Sequence, residues 1–322
     1  MIEEPKKPKH IPVMLSEVIK FAGFTEEYKK DYNEDSLIID VTFGFGGYTK
    51  ALLTASKSKL IAFDRDTSVQ SNANTFRQEW DGRFSFINDK FSNIDNHVSL
   101  NSCDLIVADF GISSMQVDEA ERGFSFMQSA KLDMRMNQSD KITAFDVVNN
   151  LSEAELADII FEYGEERLAK KIAYNIVTNR KLAPIQTTKE LADIAFKCYG
   201  KMAYSLGIHP ATRTFQAIRI YINKELEEIK FLVEKALLLL KPGGRFVCVS
   251  FHSLEDKIIK DFVKLHFKKT KNNKYQQFSL TENDSFANNI IDLSNGAVAV
   301  SKEEAKQNPR SRSAKLRCFE KI

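Results

Sequence analysis

The segment Asp40-Val-Thr-Phe-Gly-Phe-Gly-Gly47 follows a short apolar run and decides the fold. A second apolar run ends at Asp64, twenty residues after Gly44. An acidic strand end, a glycine-rich turn and a second acidic strand end are the parts of a nucleoside-cofactor pocket. The glycines let the backbone approach a ligand, and Asp64 can accept hydrogen bonds from both ribose hydroxyls. The segment therefore predicts an adenosine-type cofactor.

The turn also distinguishes between cofactors. Dinucleotide sites of the G-x-G-x-x-G type use a third glycine for close helix packing, and Thr49 stands at that place here. A cofactor without a pyrophosphate needs less of an anion cradle, and Asp40 could hold a cationic amino group. This favours S-adenosylmethionine over NAD. The alternative that stays open is a tight strand-to-helix turn that binds no ligand.

Composition indicates a chain that folds without metal or disulfides. The 322 residues carry a net charge of +2, which neither demands nor excludes nucleic acid as a partner. The four cysteines form no C-x-x-C pair, so we expect reduced thiols and neither a zinc site nor a disulfide framework. No apolar run approaches transmembrane length. We expect a cytoplasmic protein with no membrane partner and no metal.

Strand and helix patterns alternate in the first third of the chain and predict a doubly wound, Rossmann-like parallel sheet. Amphipathic stretches at residues 48–55, 68–80 and 93–100 separate the strands. A last strand at residues 314–319 is predicted as an antiparallel edge strand, and residues 268–307 as a long loop or a partly disordered excursion. The predicted parallel strands are residues 37–41, 60–63, 84–87, 105–108 and 245–251.

The strand pattern stops for about a hundred residues, which predicts an all-helical insertion. Ser152-x-x-Glu155 and Thr187-x-x-Glu190 are capping-box sequences that start two of its helices, at residues 151–161 and 188–197. A further helical pattern covers residues 165–179, and another runs from 214 to 240. The predicted domains are a Rossmann-like core in two parts, 1–115 and 209–322, and a helical insertion, 116–208, that we expect to be a substrate domain.

Polar side chains follow the fourth predicted strand at Asp109, Ser113, Ser114 and Gln116. Ligands bind at the carboxyl ends of parallel strands, so we expect these residues to face the pocket formed by the glycine turn and Asp64. Asp109, Ser113 and Ser114 are the candidate catalytic residues. The alternative is that they cap the next turn.

Short segments that run in order along the chain carry a family resemblance: His10-Ile-Pro-Val-Met-Leu, Asp40-x-Thr-x-Gly-x-Gly-Gly, Glu121-Arg-Gly-Phe-Ser-Phe126, Leu132-Asp-Met-Arg-Met136, Tyr163-Gly-Glu-Glu-Arg167, His209-Pro-Ala-Thr-Arg-Thr-Phe-Gln216, Ser250-Phe-His-Ser-Leu-Glu-Asp256 and Asn308-Pro-Arg-Ser-Arg-Ser313. With these segments the chain resembles the ribosomal small subunit methyltransferase H family, also called the MraW family. The resemblance implies S-adenosylmethionine-dependent methylation of N4 of a cytidine in the decoding region of 16S rRNA, on a Rossmann-like methyltransferase sheet with an inserted helical domain.

The resemblance also implies which residues form the site. Two positions depart from the family: Tyr48 stands where His is usual, and Met115 where Pro is usual. A flipped-out cytidine favours an aromatic clamp, for which Phe110, Phe124 and Phe126 are candidates, with core packing as the alternative. The implied cofactor residues are Gly46, Gly47, Tyr48, Asp64, Phe91, Asp109 and Gln116.

Two basic clusters are candidates for RNA contact. Arg310, Arg312, Lys315 and Arg317 share one segment without an acidic residue, and we expect them to contact phosphates of small-subunit rRNA or of the small ribosomal subunit. Two other functions stay open: a ribosome-binding assembly factor without turnover, and methylation of a different substrate. The second cluster, for which a solvated face is the alternative, comprises Lys264, Lys268, Lys269, Lys271 and Lys274.

Overall fold

A computed structural model describes residues 12–267 and 289–322. These residues form an eight-stranded sheet in the order β3-β2-β1-β4-β5-β8-β6, with β7 also paired to β8. The strands from β1 to β5 are parallel, and β8 is antiparallel to β5. The strands are β1 (Leu37–Asp40), β2 (Lys59–Phe63), β3 (Phe84–Ile87), β4 (Cys103–Asp109), β5 (Leu240–Ser250), β6 (Ile290–Asp292), β7 (Val298–Ala299) and β8 (Lys315–Lys321).

Twelve α-helices lie in this part of the chain, and three of the longer ones begin at predicted capping boxes or turns. Ser152 and Thr187 each cap a helix as their sequences predict, and the glycine turn leads directly into α2. The helices are α1 (Leu15–Ile19), α2 (Gly47–Ala55), α3 (Gln70–Glu79), α4 (Ser114–Asp118), α5 (Ala144–Asn150), α6 (Glu153–Gly164), α7 (Ala169–Arg180), α8 (Thr188–Tyr199), α9 (Ala211–Asn223), α10 (Glu225–Leu239), α11 (Ser253–His266) and α12 (Lys302–Gln307).

The chain divides into two compact units. The core unit takes the described residues up to Gly111 and from Glu228 onwards, and the helical unit is Ile112–Glu227. The core unit buries Ile39, Ile106 and Phe246 of neighbouring strands completely. The sheet thus places the carboxyl ends of β1, β2 and β4 side by side, because these strands are adjacent and parallel.

The predicted end of the insertion at residue 208 is wrong by one helix. Ala211, Phe215 and Ile218 of α9 are buried in the apolar cluster of the helical unit. The apolar residues of α9 recur every three or four positions and form one face, which packs with α6 and α8. The predicted helix from 214 to 240 is also two helices, since Lys224 adopts a left-handed conformation between α9 and α10.

The predicted edge strand is an interior strand. Leu316, Cys318 and Phe319 of β8 are fully buried, because β5 covers one side of the strand and β6 and β7 pair on the other. The predicted loop at residues 268–307 is therefore wrong for 289–307, which form β6, β7 and α12. Residues 268–288, with Lys268, Lys269, Lys271 and Lys274, lie outside the described residues.

The predicted amphipathic helix at residues 93–100 is a short 3-10 segment, Phe91–Asn96. Its hydrogen bonds span three residues, as from His97 N–H to the Ile94 carbonyl at 3.1 Å. This tighter winding still buries Ile94 and Val98 against the sheet.

Candidate functional site

The turn between β1 and α2 needs glycine at two places. Gly44 and Gly46 have φ values of +49° and +74°, in the left-handed region that glycine adopts without strain. A Cβ on Gly46 would lie 2.5 Å from Cζ of Phe76, which is itself buried. The Gly46 N–H donates to the Phe43 carbonyl at 2.6 Å, which closes the turn.

Asp64 ties the end of β2 to this turn. Its Oδ2 accepts from the Gly44 N–H at 2.8 Å, and its Oδ1 accepts from the Asp66 N–H at 2.9 Å. Burial raises the pKa of the Asp64 carboxyl to about 6, and the bonds from Asp66 and Gly44 oppose that rise. Each carboxylate oxygen has a second lone pair, so the group retains acceptor capacity for a diol.

Asp40 does not have the ligand-binding position that the sequence suggested. The side chain is fully buried, and Thr49 Oγ1 donates to its Oδ2 at 2.7 Å. The Thr42 N–H donates to its Oδ1 at 3.1 Å. Burial raises its pKa, and the Thr49 hydrogen bond opposes the rise. Asp40 therefore joins β1 to the first turn of α2, and the expectation that it holds a cationic group is wrong.

Asp109, at the end of β4, has a carboxylate oxygen whose hydrogen-bonding capacity the described residues do not use. Its Oδ1 is buried and has no hydrogen-bond partner among residues 12–267 and 289–322. Its N–H donates to Thr42 Oγ1 at 2.7 Å, which fixes the strand end beside the turn. Burial, followed by the charges of Asp40, Glu255 and Glu304, raises the pKa of Asp109 well above its usual range. The arrangement suits a cationic ligand or a proton donor.

Tyr48 holds the N-terminal segment against the turn. Its hydroxyl donates to the Val13 carbonyl, and the side chain is only 4% exposed. A Cβ on neighbouring Gly47 would lie 2.2 Å from Cγ of Pro12, so this glycine allows the segment to approach. The structure gives Tyr48 and Gly47 a positioning role at the predicted cofactor turn, and direct contact with a cofactor stays a prediction.

Glu304 is a residue of this region that the sequence reasoning missed. The Met14 N–H donates to its Oε1 at 2.8 Å, so α12 and the N-terminal segment meet beside the turn. Its charge also contributes to the raised pKa of Asp109. Glu304 fell in a stretch predicted as loop, whereas the signal for the N-terminal segment was present in the family motif that includes Pro12 and Val13.

The aromatic residues proposed as a clamp are packing residues. Phe110 is 3% exposed and contacts Phe91 with ring centroids 6.2 Å apart. Phe124 belongs to the buried cluster of the helical unit, and Phe126 packs against Phe215 at 4.9 Å. Phe91 is half-buried at the start of its 3-10 segment, and its role beside an adenine stays a prediction.

The polar residues after β4 form a helix start in the helical unit. Ser113 Oγ accepts from the Gln116 N–H at 3.3 Å, and Gln116 Oε1 accepts from the Ser113 N–H at 3.0 Å. This capping box begins α4, whose first residue is Ser114. The structure therefore supports the capping alternative for Ser113 and Gln116, and their predicted catalytic and cofactor roles stay predictions.

The C-terminal basic segment contains two kinds of residue. Arg310 and Arg312 are exposed on a 3-10 turn, and exposed Lys315 lies 3.4 Å from Asp256 Oδ2. Arg317 is buried, and its Nε donates to Asp256 Oδ1 at 2.7 Å. Inclusion of Arg317 among the phosphate contacts is therefore wrong, because its guanidinium is used inside the core unit.

Comparison with known proteins identifies the family. A sequence model of the MraW methylase family matches residues 7–322. The chain belongs to the MraW methylase family. It is 44% identical to the ribosomal RNA small subunit methyltransferase H of Maricaulis maris (96% of this chain, 90% of the relative) and 44% identical to that of Orientia tsutsugamushi strain Ikeda (97% and 98%).

Membership in this family confirms the predicted methyltransferase fold and the predicted methyl donor, S-adenosylmethionine. The solved structure of an rRNA methylase from Streptococcus thermophilus is also similar, at 11% identity with a TM-score of 0.40, covering 90% of this chain and 89% of that one. That likeness is too distant to carry an argument. Among the described residues, no helix has both the length and the apolar character needed to cross a membrane.

Proposed function

We propose that this methylase transfers a methyl group from S-adenosylmethionine to N4 of a cytidine in the decoding region of small-subunit (16S) rRNA. The relatives named ribosomal RNA small subunit methyltransferase H support rRNA as the substrate, because the similarity spans 96–97% of the chain. The motif resemblance supports N4 of cytidine as the position. One observation of the structure supports the chemistry: Oδ1 of Asp109, at the end of β4, is buried and has no hydrogen-bond partner among the described residues.

Asp64 and the glycine turn are the residues that would hold the cofactor's nucleoside. The carboxylate lies at the carboxyl end of β2, where the ribose hydroxyls of such cofactors are bound in doubly wound sheets. The Gly44 N–H fixes its Oδ2 at 2.8 Å, so the acceptor is oriented before any ligand arrives. A preoriented acceptor loses little conformational entropy on binding.

The cofactor supplies a methyl group on a cationic sulfur, which is already strongly electrophilic. The exocyclic amine of cytosine is a poor nucleophile because its lone pair is delocalised into the ring. Positioning of the two reactants should therefore provide most of the rate enhancement. Asp109 can contribute as an acceptor for an amine proton, since N4 must lose a proton when it gains a methyl group. Its raised pKa makes the ionised carboxylate a stronger base than an ordinary aspartate.

Ser113 and Ser114 remain proposed catalytic residues, as the sequence predicted, although both lie in the helical unit and not in the predicted core 1–115. Ser113 Oγ already accepts a hydrogen bond from the Gln116 N–H at 3.3 Å. A contact with the substrate must therefore be made by the same hydroxyl in addition to this capping bond. Their contribution is therefore secondary to that of Asp109 in this proposal.

The test is methylation of small ribosomal subunits from a bacterial strain that lacks the corresponding methyltransferase. The purified protein is incubated with these subunits and isotopically labelled S-adenosylmethionine, and the rRNA nucleosides are separated and identified by mass spectrometry. We expect labelled N4-methylcytidine at one site, and no incorporation into subunits from the parent strain, which are already modified. Label in another nucleoside would contradict the proposed position. Tight binding to the subunits without any label would instead favour the assembly-factor alternative.

A further inference from the structure

The connection between α8 and α9 exposes an unusual amount of apolar surface. Every second residue from 202 to 208 is apolar and faces solvent: Met202 is 59% exposed, Tyr204 83%, Leu206 41% and Ile208 42%. Met202 and Tyr204 lie on the 3-10 helix Gly200–Ser205, and Leu206 and Ile208 follow it; the four residues together are called the apolar loop. A cluster of large apolar side chains at the surface of a folded unit marks a binding site more often than an isolated one does.

The tyrosine of the apolar loop is supported from beneath. Phe196 of α8 contacts Tyr204 edge to face, with ring centroids 5.5 Å apart and planes at 84°. Phe196 also contacts His209 at 5.6 Å, and His209 lies 4.6 Å from Phe126. This row of rings anchors one edge of Tyr204 while most of its surface remains exposed. The ring is therefore prearranged to stack on a flat ligand.

The surroundings of the apolar loop are cationic. The sequence has no aspartate or glutamate from Phe196 to Lys224, and Lys197 and Lys201 are exposed next to the loop. The nearest acidic residue before this stretch is Asp193, whose carboxylate is paired with Lys189 at 2.7 Å. Exposed aromatic surface flanked by exposed lysines complements a polyanion whose bases are accessible.

We propose that the apolar loop binds unpaired nucleobases of the RNA substrate, with Tyr204 stacked on one base and Lys197 and Lys201 contacting phosphates. The inference rests on the proposed function, and it adds a contact surface that lies on the helical unit. Single-stranded RNA is the ligand because its bases are free to leave their neighbours and stack on an aromatic ring, whereas those in a duplex are not. The absence of aspartate and glutamate from residues 196–224 disfavours a basic protein partner.

The test is the affinity of purified full-length protein for a fluorescent single-stranded oligoribonucleotide, measured by anisotropy over a range of salt concentrations. Tyr204→Ala should weaken binding about five-fold or more at every salt concentration, since a base stacked on an aromatic ring contributes on this scale. Tyr204→Phe should bind nearly as wild type, because the ring is retained. Replacing Lys197 and Lys201 with Ala should instead lower the dependence of log affinity on log salt by roughly one to two units.

Tyr174→Ala is the matched control, because Tyr174 of α7 is also an exposed tyrosine of the helical unit, at 57%. It should bind the oligonucleotide and S-adenosylmethionine as the wild type does. Wild-type affinity in Tyr204→Ala would overturn the inference. Equal losses in the Tyr204→Ala and Tyr174→Ala variants, or a concentration-dependent dimer that Tyr204→Ala abolishes, would also overturn it, the latter by showing that the loop binds a second copy of the chain.

The binding assay separates this inference from the proposed function. Protein that methylates N4 of cytidine but binds RNA independently of Tyr204 contradicts only the role of the apolar loop. Protein that binds single-stranded RNA through Tyr204 but leaves no N4-methylcytidine contradicts only the proposed reaction.

Discussion

Tyr48 at the cofactor turn and Tyr204 in the apolar loop are the same residue type in opposite environments. Tyr48 is 4% exposed, and its hydroxyl donates to the Val13 carbonyl, so the protein itself accounts for that side chain. Tyr204 is 83% exposed, with one edge anchored by Phe196. Contacts within the protein hold the first tyrosine in place, whereas most of the second is free to contact a ligand, as proposed above.

The comparison extends to whole regions and can be tested by substitution. In the turn and in the strands beside it, glycines and charged groups are surrounded by protein, so changes there should reduce stability or cofactor affinity. On the exposed segments, changes should leave both intact and affect only RNA binding. The C-terminal basic segment contains both kinds of residue: Arg317 is buried, whereas Arg310 and Arg312 are exposed.

The largest effect is expected at Arg317, on the buried side of this comparison. Arg317→Ala should lower the free energy of unfolding by about 3–5 kcal/mol, because it leaves the buried carboxylate of Asp256 without its main partner. Urea denaturation measures the change. Arg312→Ala removes an exposed arginine of the same segment and should cost less than about 0.5 kcal/mol. Similar values for the two variants would contradict the division of the segment.

The effect of Arg317 should also depend on pH. Hydrogen bonding and charge from Arg317 lower the folded-state pKa of Asp256, against the opposing effect of its burial. The stabilisation is therefore fully present above the unfolded pKa of about 3.9 and is lost as pH falls through the folded value. The gap in stability between wild type and Arg317→Ala should narrow below pH about 4.

A smaller effect is expected at Gly46, with Gly82 as its control. Both glycines have almost the same φ, +74° and +73°, so an alanine is strained equally at either place. Only at Gly46 would the new Cβ meet another side chain, 2.5 Å from Phe76 Cζ; at Gly82 nothing lies within 4 Å. Gly82→Ala should cost about 1 kcal/mol, and Gly46→Ala about 2–4 kcal/mol in urea denaturation. Equal losses would show that backbone strain alone makes glycine necessary at position 46.

Sequence patterns predicted the parts of the fold that local physics determines. The five parallel strands are short and largely apolar, and the helix starts at Ser152 and Thr187 are set by hydrogen bonds between residues three positions apart. The strands β6 and β7 were missed because they have only three and two residues. Their pairing with β8 is a tertiary event with no local signal.

The candidate site was predictable where its residues follow a strand. Asp64 and Asp109 were found from their position after apolar runs, and the structure places them at the carboxyl ends of β2 and β4, which flank β1. The structural roles of Arg317 and Asp40 could not be predicted from the sequence. Arg317 pairs with Asp256, which lies 61 residues away, and the burial of Asp40 depends on the assembled core. The bond from Tyr48 to Val13 spans 35 residues and is equally invisible to local patterns.

The next effect is expected at Asp64, in binding rather than stability. Asp64→Asn should weaken S-adenosylmethionine binding by about 1.5–3 kcal/mol, the scale of charge-assisted hydrogen bonds lost to the ribose. Since the pKa of Asp64 is raised to about 6, wild-type affinity should fall as pH drops through 6, because the protonated carboxyl accepts fewer bonds. The variant should lose this dependence.

Asp104→Asn is a suitable control for Asp64. Asp104 is a half-buried carboxylate near the amino end of β4, where it pairs with Lys241 at 2.8 Å. Isothermal titration calorimetry at pH 5 and pH 8 should show wild-type behaviour for this variant. Unchanged affinity of Asp64→Asn for S-adenosylmethionine would contradict the proposal that this carboxylate binds the ribose.

The smallest effect is expected on the exposed side of the C-terminal segment, where Arg310 and Arg312 are predicted to contact rRNA phosphates. Replacing both with Ala should weaken binding to small ribosomal subunits and lower the salt dependence of log affinity by roughly one to two units, about one for each lost phosphate contact. S-adenosylmethionine affinity and the melting temperature should stay as in the wild type, because both side chains are exposed.

The double variant shows whether the exposed Arg310 and Arg312 bind RNA, as proposed for the apolar loop, or only contact solvent. A near-neutral protein needs concentrated basic surfaces to hold a large polyanion, and Arg317 cannot contribute because Asp256 already binds it. If the double variant melted at a lower temperature while its folded fraction kept the wild-type salt dependence, the arginines would be structural. If the double variant melted normally and kept the wild-type salt dependence, Arg310 and Arg312 would only contact solvent. An RNA-binding role for exposed residues would then be proposed only for the apolar loop.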